Sequence, residues 1–226
     1  MLMFDPVYFM FVGPALLLAL WAQARVQSAY GRWSQALASS GLTGAELARQ
    51  LLARAGVGQV RVEAVGGQLT DHYDPRDKVV RLSAPVYNGR SLAALGIAAH
   101  EIGHVLQDAE GYTWLGVRNA IIPVTRFGSQ LAIPLFILGL ILQVASLQNL
   151  GILLFLFAVI FQLVTLPVEF NASSRAIALL EGGGYITRQE VGPVREVLNA
   201  AALTYVAALV MAVMQLLYLL SMRQRD

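Results

Sequence analysis

The chain has 226 residues, 57% of them apolar and only 13% charged, with a net charge of +2 and no cysteine. Soluble domains average about 25% charged residues, so a soluble globular domain is a poor reading, and so small a positive charge implies no nucleic-acid partner. Without cysteine there is no disulfide and no thiolate site, so any metal must be held by imidazole, carboxylate and water.

Pro6 to Ala24 carries no charge and reads as a first membrane span over 6–25, since a span needs about 20 apolar residues. Ala22-Gln23-Ala24 has the small residues of a signal-peptide cleavage site, but the N-terminus lacks the Lys or Arg of such a leader, so the segment is expected to be an uncleaved anchor. Tyr30 to Ala38 is predicted as a short helix, broken at Ser39-Ser40-Gly41. Thr43-Gly44-Ala45-Glu46 is a capping box that opens a helix with Leu47, Leu51 and Ala55 on one face, ended by Gly56. Val60 to Val65 alternates like a strand and is turned by Gly66-Gly67. Gln68 to Tyr73 and Lys78 to Leu82 flank the turn Asp74-Pro75-Arg76-Asp77, which predicts a small sheet of two or three strands.

Ser91 then offers an N-cap to a helix over Leu92 to Gln107, which contains no proline. Residues 111–127 are predicted as a connector. Gly128 to Val168 is uncharged and too long for one span; it suits a hairpin of spans over 129–147 and 150–167, turning near Leu147 to Gly151. Val168 to Leu180 reads as a helix stopped by Gly182-Gly183-Gly184, Thr187 to Asn199 as another, and 201–221 as the fourth span. So many apolar helices exceed what the core of a soluble chain of this length hides. The expected organisation is an anchor (1–25), a catalytic insertion (26–128), a hairpin (129–167), a second insertion (168–200) and a C-terminal helix with its tail (201–226). The expected fold class is mainly α: a polytopic membrane protein with about four transmembrane helices and a small α+β zincin-like unit containing a short β-sheet. Residues 25–126 carry ten Arg and one Lys, and the N-terminal tip carries neither, which puts the tip outside and both insertions on the cytoplasmic side of the cell membrane. Four spans then leave Arg223 and Arg225 outside, against the rule; the larger charge count sets the reading. Some of the arginines are expected to face lipid head groups.

The chemistry lies in His100-Glu101-Ile102-Gly103-His104. Two imidazoles four residues apart on a helix point the same way and can share one Zn²⁺, and the carboxylate between them can work on the water the metal carries. A catalytic zinc usually takes a third protein ligand. Asp108 lies about 6 Å further along the helix than His104, too far to converge easily. Glu110 stands where another zinc-protease pattern has its third ligand, but Gln107 replaces the glycine that pattern needs for its turn. Glu169, an isolated acid directly after an uncharged span, is the better candidate. It also reads as a carboxylate favoured at a helix N-terminus by the dipole, or simply a solvated one, and spacing does not choose between these.

Asp71-His72-Tyr73-Asp74-Pro75-Arg76, Val80-Arg81-Leu82-Ser83, Ala98 to His104, and Pro167-Val168-Glu169-Phe170-Asn171-Ala172-Ser173, in this order, resemble the YugP-type membrane zinc metallopeptidases over nearly the whole chain. The chain is similar, more remotely, to the HtpX-type membrane proteases, which carry their third-ligand glutamate in a Glu-x-x-Ala-Asp stretch after a membrane hairpin. Ser173 replaces the final aspartate of that stretch, and serine is a weaker acceptor for a ligand histidine. The resemblance implies Glu169 as third ligand, one catalytic Zn²⁺, and peptidase activity on a peptide or membrane-protein substrate.

Glu101 is then the expected general base. His72, Tyr73, Tyr112 and Arg175 are candidates to steady the oxyanion, with Ser173 as an outer partner of the metal site; His72 also reads as a turn residue bonded locally. Lys78, Val79, Val80, Arg81, Leu82 and Ser83 are expected to form an exposed edge strand for an extended substrate, as the strand before the motif helix does in related zinc peptidases. The other readings are a catalytically inactive membrane scaffold with a structural zinc, which would need a fourth ligand that the sequence does not reveal, and hydrolysis of some other amide or ester.

Overall fold

The computed structural model describes residues 6–224; Arg225, used above in placing the C-terminus, lies outside the described residues. The elements run α1 (Pro6–Trp33), α2 (Gly44–Arg54), β1 (Arg61–Val65), β2 (His72–Asp74), β3 (Val79–Ser83), α3 (Ala84–Tyr87), α4 (Leu92–Ala109), α5 (Thr113–Ile141), α6 (Ala145–Gly182) and α7 (Arg188–Arg223). The chain is mainly helical with one small mixed sheet, and α1, α5, α6 and α7 are long and apolar enough to cross a membrane. The residues form two compact units. One gathers the described residues through Gln23 with Gly116–Pro167 and those from Leu203 onward; the other gathers Ala24–Leu115 with Val168–Ala202.

In the second unit the capping box forms as the sequence predicts. Thr43 accepts from the Glu46 amide, and the Glu46 carboxylate accepts from the Thr43 amide, which closes the first turn of α2. Leu47, Ala48, Leu51 and Leu52 are thereby buried against Val80, Leu82, Leu95, Ala98 and Ala99. Gly56, at φ +71°, ends the helix where a side chain would be strained.

The sheet order is β1-β3-β2, with β1 parallel and β2 antiparallel to β3. The segment Lys78 to Ser83 is therefore no exposed edge. Its strand is central, paired on both sides, with Val79, Val80, Leu82 and Ser83 buried. The predicted strand over Gln68 to Tyr73 shrinks to His72–Asp74. Leu69 takes φ +55° and the Thr70 hydroxyl donates to the Gly66 carbonyl, so residues 66–70 form a turn. The Asp74 carboxylate caps the next turn by accepting from the Arg76 and Asp77 amides at 2.9 and 3.3 Å. The helix expected over Tyr30 to Ala38 is not separate either. α1 continues to Trp33, and the chain beyond it extends to exchange hydrogen bonds with Arg90 and Leu92, beside the start of α4.

The other corrections concern helix ends. The expected connector 111–127 is helical, because α5 runs unbroken from Thr113 through Pro123 and Pro134. Each proline removes only its own amide donor, which a long apolar helix tolerates. The hairpin turns at Leu142 to Val144, not at Leu147 to Gly151. Gln143 adopts φ +53°, and the Val144 amide reaches back to the Gly139 carbonyl at 2.8 Å. Gly151 serves helix packing instead: a Cβ there would meet the Ala132 carbonyl oxygen at 2.6 Å. The separate helices expected over Val168 to Leu180 and Thr187 to Asn199 are parts of α6 and α7.

Candidate metal centre

Ser91 accepts from the Ala94 amide at 3.1 Å and starts α4, an 18-residue helix whose apolar residues are buried on almost every side. His100 and His104 lie one turn apart on it, ring centroids 4.7 Å apart and planes at 88°. α6 brings Glu169 to them, its Oε2 lying 3.3 Å from His100 Nε2 and 3.6 Å from His104 Nε2. One donor atom from each residue lies within 4.8 Å of the other two, a group that could hold a metal ion. Glu169 is 3% exposed, so its charge is removed from water and must be met locally.

The hydrogen bonds decide how the rings present themselves. Gln107 is fully buried, and its Nε2 lies 2.8 Å from the Val168 carbonyl oxygen and 3.0 Å from Asn171 Oδ1. A carbonyl oxygen only accepts, so that atom is the amide NH₂. Gln107 Oε1 then faces His104 Nδ1 at 3.0 Å, and Nδ1 must carry the hydrogen. In a neutral ring this leaves the lone pair on Nε2, aimed at Glu169. His100 Nδ1 meets the Ser173 hydroxyl at 3.2 Å, so the replacement of aspartate by serine keeps an orienting partner at this position. The His104 Nε2 lone pair and the Glu169 carboxylate oxygen repel unless a proton or a cation lies between them. The donor set of nitrogen, nitrogen and oxygen suits zinc.

Gly103 is what allows the approach. A Cβ on it would sit 2.6 Å from the Ala172 carbonyl oxygen, so α4 and α6 meet backbone to backbone between the motif histidines and Glu169. Gly96, seven residues earlier on the same face, lies against Val194, where a Cβ would meet Cγ1 at 2.9 Å.

Glu101 is buried within α4, and burial pushes its carboxyl up to about 7, with His100 lowering it and Glu169 raising it further. Asp71, whose own carboxyl burial raises, adds to that field from beside β2 and accepts from the Ser83 amide at 2.7 Å. His72 also acts on Glu101 electrostatically, but its Nδ1 lies 2.8 Å from the Thr70 carbonyl, as the turn reading has it. A neutral His72 therefore has its lone pair on Nε2 and cannot donate to an oxyanion from that atom.

Two further candidates are engaged elsewhere. The Tyr73 hydroxyl donates to Asp108 at 2.6 Å, and Lys78 joins the same carboxylate at 2.5 Å, which clamps the β2–β3 hairpin to α4. Burial and that bond push the Tyr73 phenol up. Arg175 turns its guanidinium to Glu110 and Asn171. Ser173 stands where the sequence reading puts it, as an outer partner of the candidate metal site, its hydroxyl 3.2 Å from His100 Nδ1. Tyr112 is half-buried in the turn after α4. The role of Gln107 was missed in the sequence, where it counted only as a residue that blocks a turn. The available signal was its place, three residues after a ligand histidine on a buried face.

Residues 8–224 match the family model described as "Putative neutral zinc metallopeptidase". Over 203 residues the chain is 52% identical to "Putative membrane protease YugP" of Bacillus subtilis (strain 168), covering 90% of each chain. No solved structure matches.

Proposed function

Because the chain belongs to the neutral zinc metallopeptidase family, we propose that it is a multi-pass membrane endopeptidase in which His100, His104 and Glu169 hold zinc and Glu101 is the general base. The convergence of two imidazole Nε2 atoms on one buried carboxylate oxygen carries this reading. Zinc held there would polarise a peptide carbonyl and lower the pKa of a water towards about 7. Glu101 takes a proton from the attacking water and returns one to the leaving amine, a role that suits a carboxyl displaced from its ordinary range. Ser173 and Gln107 hold the rings. β2 is an edge strand whose His72 already acts on Glu101, so an extended peptide pairs there rather than on β3. Among the described residues the cluster has three members, which supports an open catalytic position over the closed four-ligand site of a scaffold.

The purified protein is expected to cut internal bonds of unstructured peptides, to stop when a chelator strips the metal, and to resume when stoichiometric zinc is returned. Hydrolysis confined to esters or non-peptide amides, or cleavage indifferent to the chelator, would overturn the endopeptidase reading.

The arginines of residues 25–126 favour a catalytic unit on the cytoplasmic side. In intact cells an N-terminal tag should be open to external protease. A tag protected there but cut after permeabilisation would reverse the orientation.

A further inference from the structure

The polar groups behind His104 form a continuous line. His104 Nδ1 donates to Gln107 Oε1, Gln107 Nε2 donates to Asn171 Oδ1, and Arg175 Nε donates to that same oxygen at 2.8 Å. The two terminal nitrogens of Arg175 grip the Glu110 carboxylate at 2.8 and 2.7 Å. We propose that Gln107, Asn171, Arg175 and Glu110 are positioning residues whose hydrogen-bonded relay fixes the His104 ring in its metal-binding tautomer. The proposal rests on the zinc site described above and extends it to residues that touch no ligand atom of the metal.

Two features support it. First, Gln107 is fully buried and spends both of its donors and its acceptor, so it cannot flip without burying unmet polar groups. Second, Asn171 Oδ1 serves two donors at once, one of them cationic, which locks the Gln107 amide from the far side. His100 has a different support, the Ser173 hydroxyl at 3.2 Å, which rotates to donate or accept and enforces no tautomer. The two ligand histidines are thus held unequally, and His104 is the fixed one.

The test compares Asn171→Leu, which removes the shared acceptor, with Asn171→Asp, which keeps it, in the full-length protein in detergent. Three quantities are read: zinc affinity by chelator competition, the visible absorption of the Co²⁺ form, and the melting of the chelator-treated protein. Asn171→Leu is expected to weaken zinc binding about 10- to 100-fold and to alter the Co²⁺ bands; the stripped protein should still fold cooperatively but melt lower, because the buried Gln107 amide loses an acceptor. Asn171→Asp should restore the affinity to within about threefold of the unsubstituted protein and recover the bands, as an acceptor of the same shape does. Unchanged affinity and bands in Asn171→Leu would overturn the relay, as would equal losses in both variants. If Asn171→Leu does not fold, Arg175→Met keeps the stem and deletes the donor; it should weaken zinc in the same direction, and unchanged affinity there overturns the relay. Glu169→Gln, measured in parallel, separates the two readings. Loss of zinc there together with wild-type behaviour of Asn171→Leu removes the relay alone, whereas full zinc retention in Glu169→Gln removes the metal site and the relay with it.

Discussion

Replacing Glu101 with glutamine is expected to lower peptide cleavage by about 10²- to 10⁴-fold while the protein folds and binds one equivalent of zinc. Glutamine matches glutamate in volume and keeps the packing of α4, where Glu101 is buried between Ala98, Ala99, Ile102 and Val105 along the chain. It cannot accept a proton. Burial pushes the Glu101 carboxyl up to about 7, and a divalent cation beside it would work in the opposite sense. The measurement is turnover of a peptide that the unsubstituted protein cuts, with metal content determined on the same sample. Cleavage at the original rate with zinc in place would remove Glu101 from the chemistry. Lost cleavage accompanied by lost zinc would make the residue structural.

Replacing Glu169 with glutamine should cost more in metal than any change among the outer partners, lowering zinc affinity by over about 100-fold, and activity should fall with it. The amide keeps the shape of the side chain in α6 but surrenders the charge that faces His100 and His104 at 3.3 and 3.6 Å. Two neutral imidazoles would remain, a weak pair for a divalent ion. Because α6 is a long continuous helix, its helical content should not change, and circular dichroism checks this against the metal analysis. Zinc bound at the original affinity by this variant would show that the third ligand lies elsewhere.

Much of the site was readable from the chain because its chemistry is local or conspicuous. The spacing of His100 and His104 needs only a helix, and Ser91 supplies its cap. Glu169 stood out as a lone acid after an uncharged stretch. What could not be read depended on partners far along the chain. Gln107 lies three residues after His104, a local hint, but the acceptors that fix its amide are Val168 and Asn171, more than sixty residues away. The same holds for the sheet. β3 looks like the edge of a hairpin until β1 crosses over to its other side, a pairing that no turn signal announces. Glycine misled in another way: Gly151 carries the composition of a turn but is needed for close helix contact, while Gln143, a residue with no turn preference, takes the left-handed conformation. Helix ends were misplaced because apolar stretches on either side of a proline or a charge read as separate segments, although the backbone hydrogen bonds run on through them.

In the proposed site the ligands come from α4 and α6, far apart in the chain. A polypeptide emerging from the ribosome therefore displays both imidazoles long before it has a carboxylate to complete the set. Metal loading has to wait until the hairpin is synthesised and α6 has docked on α4, so the nascent chain carries no finished hydrolytic centre during its own insertion.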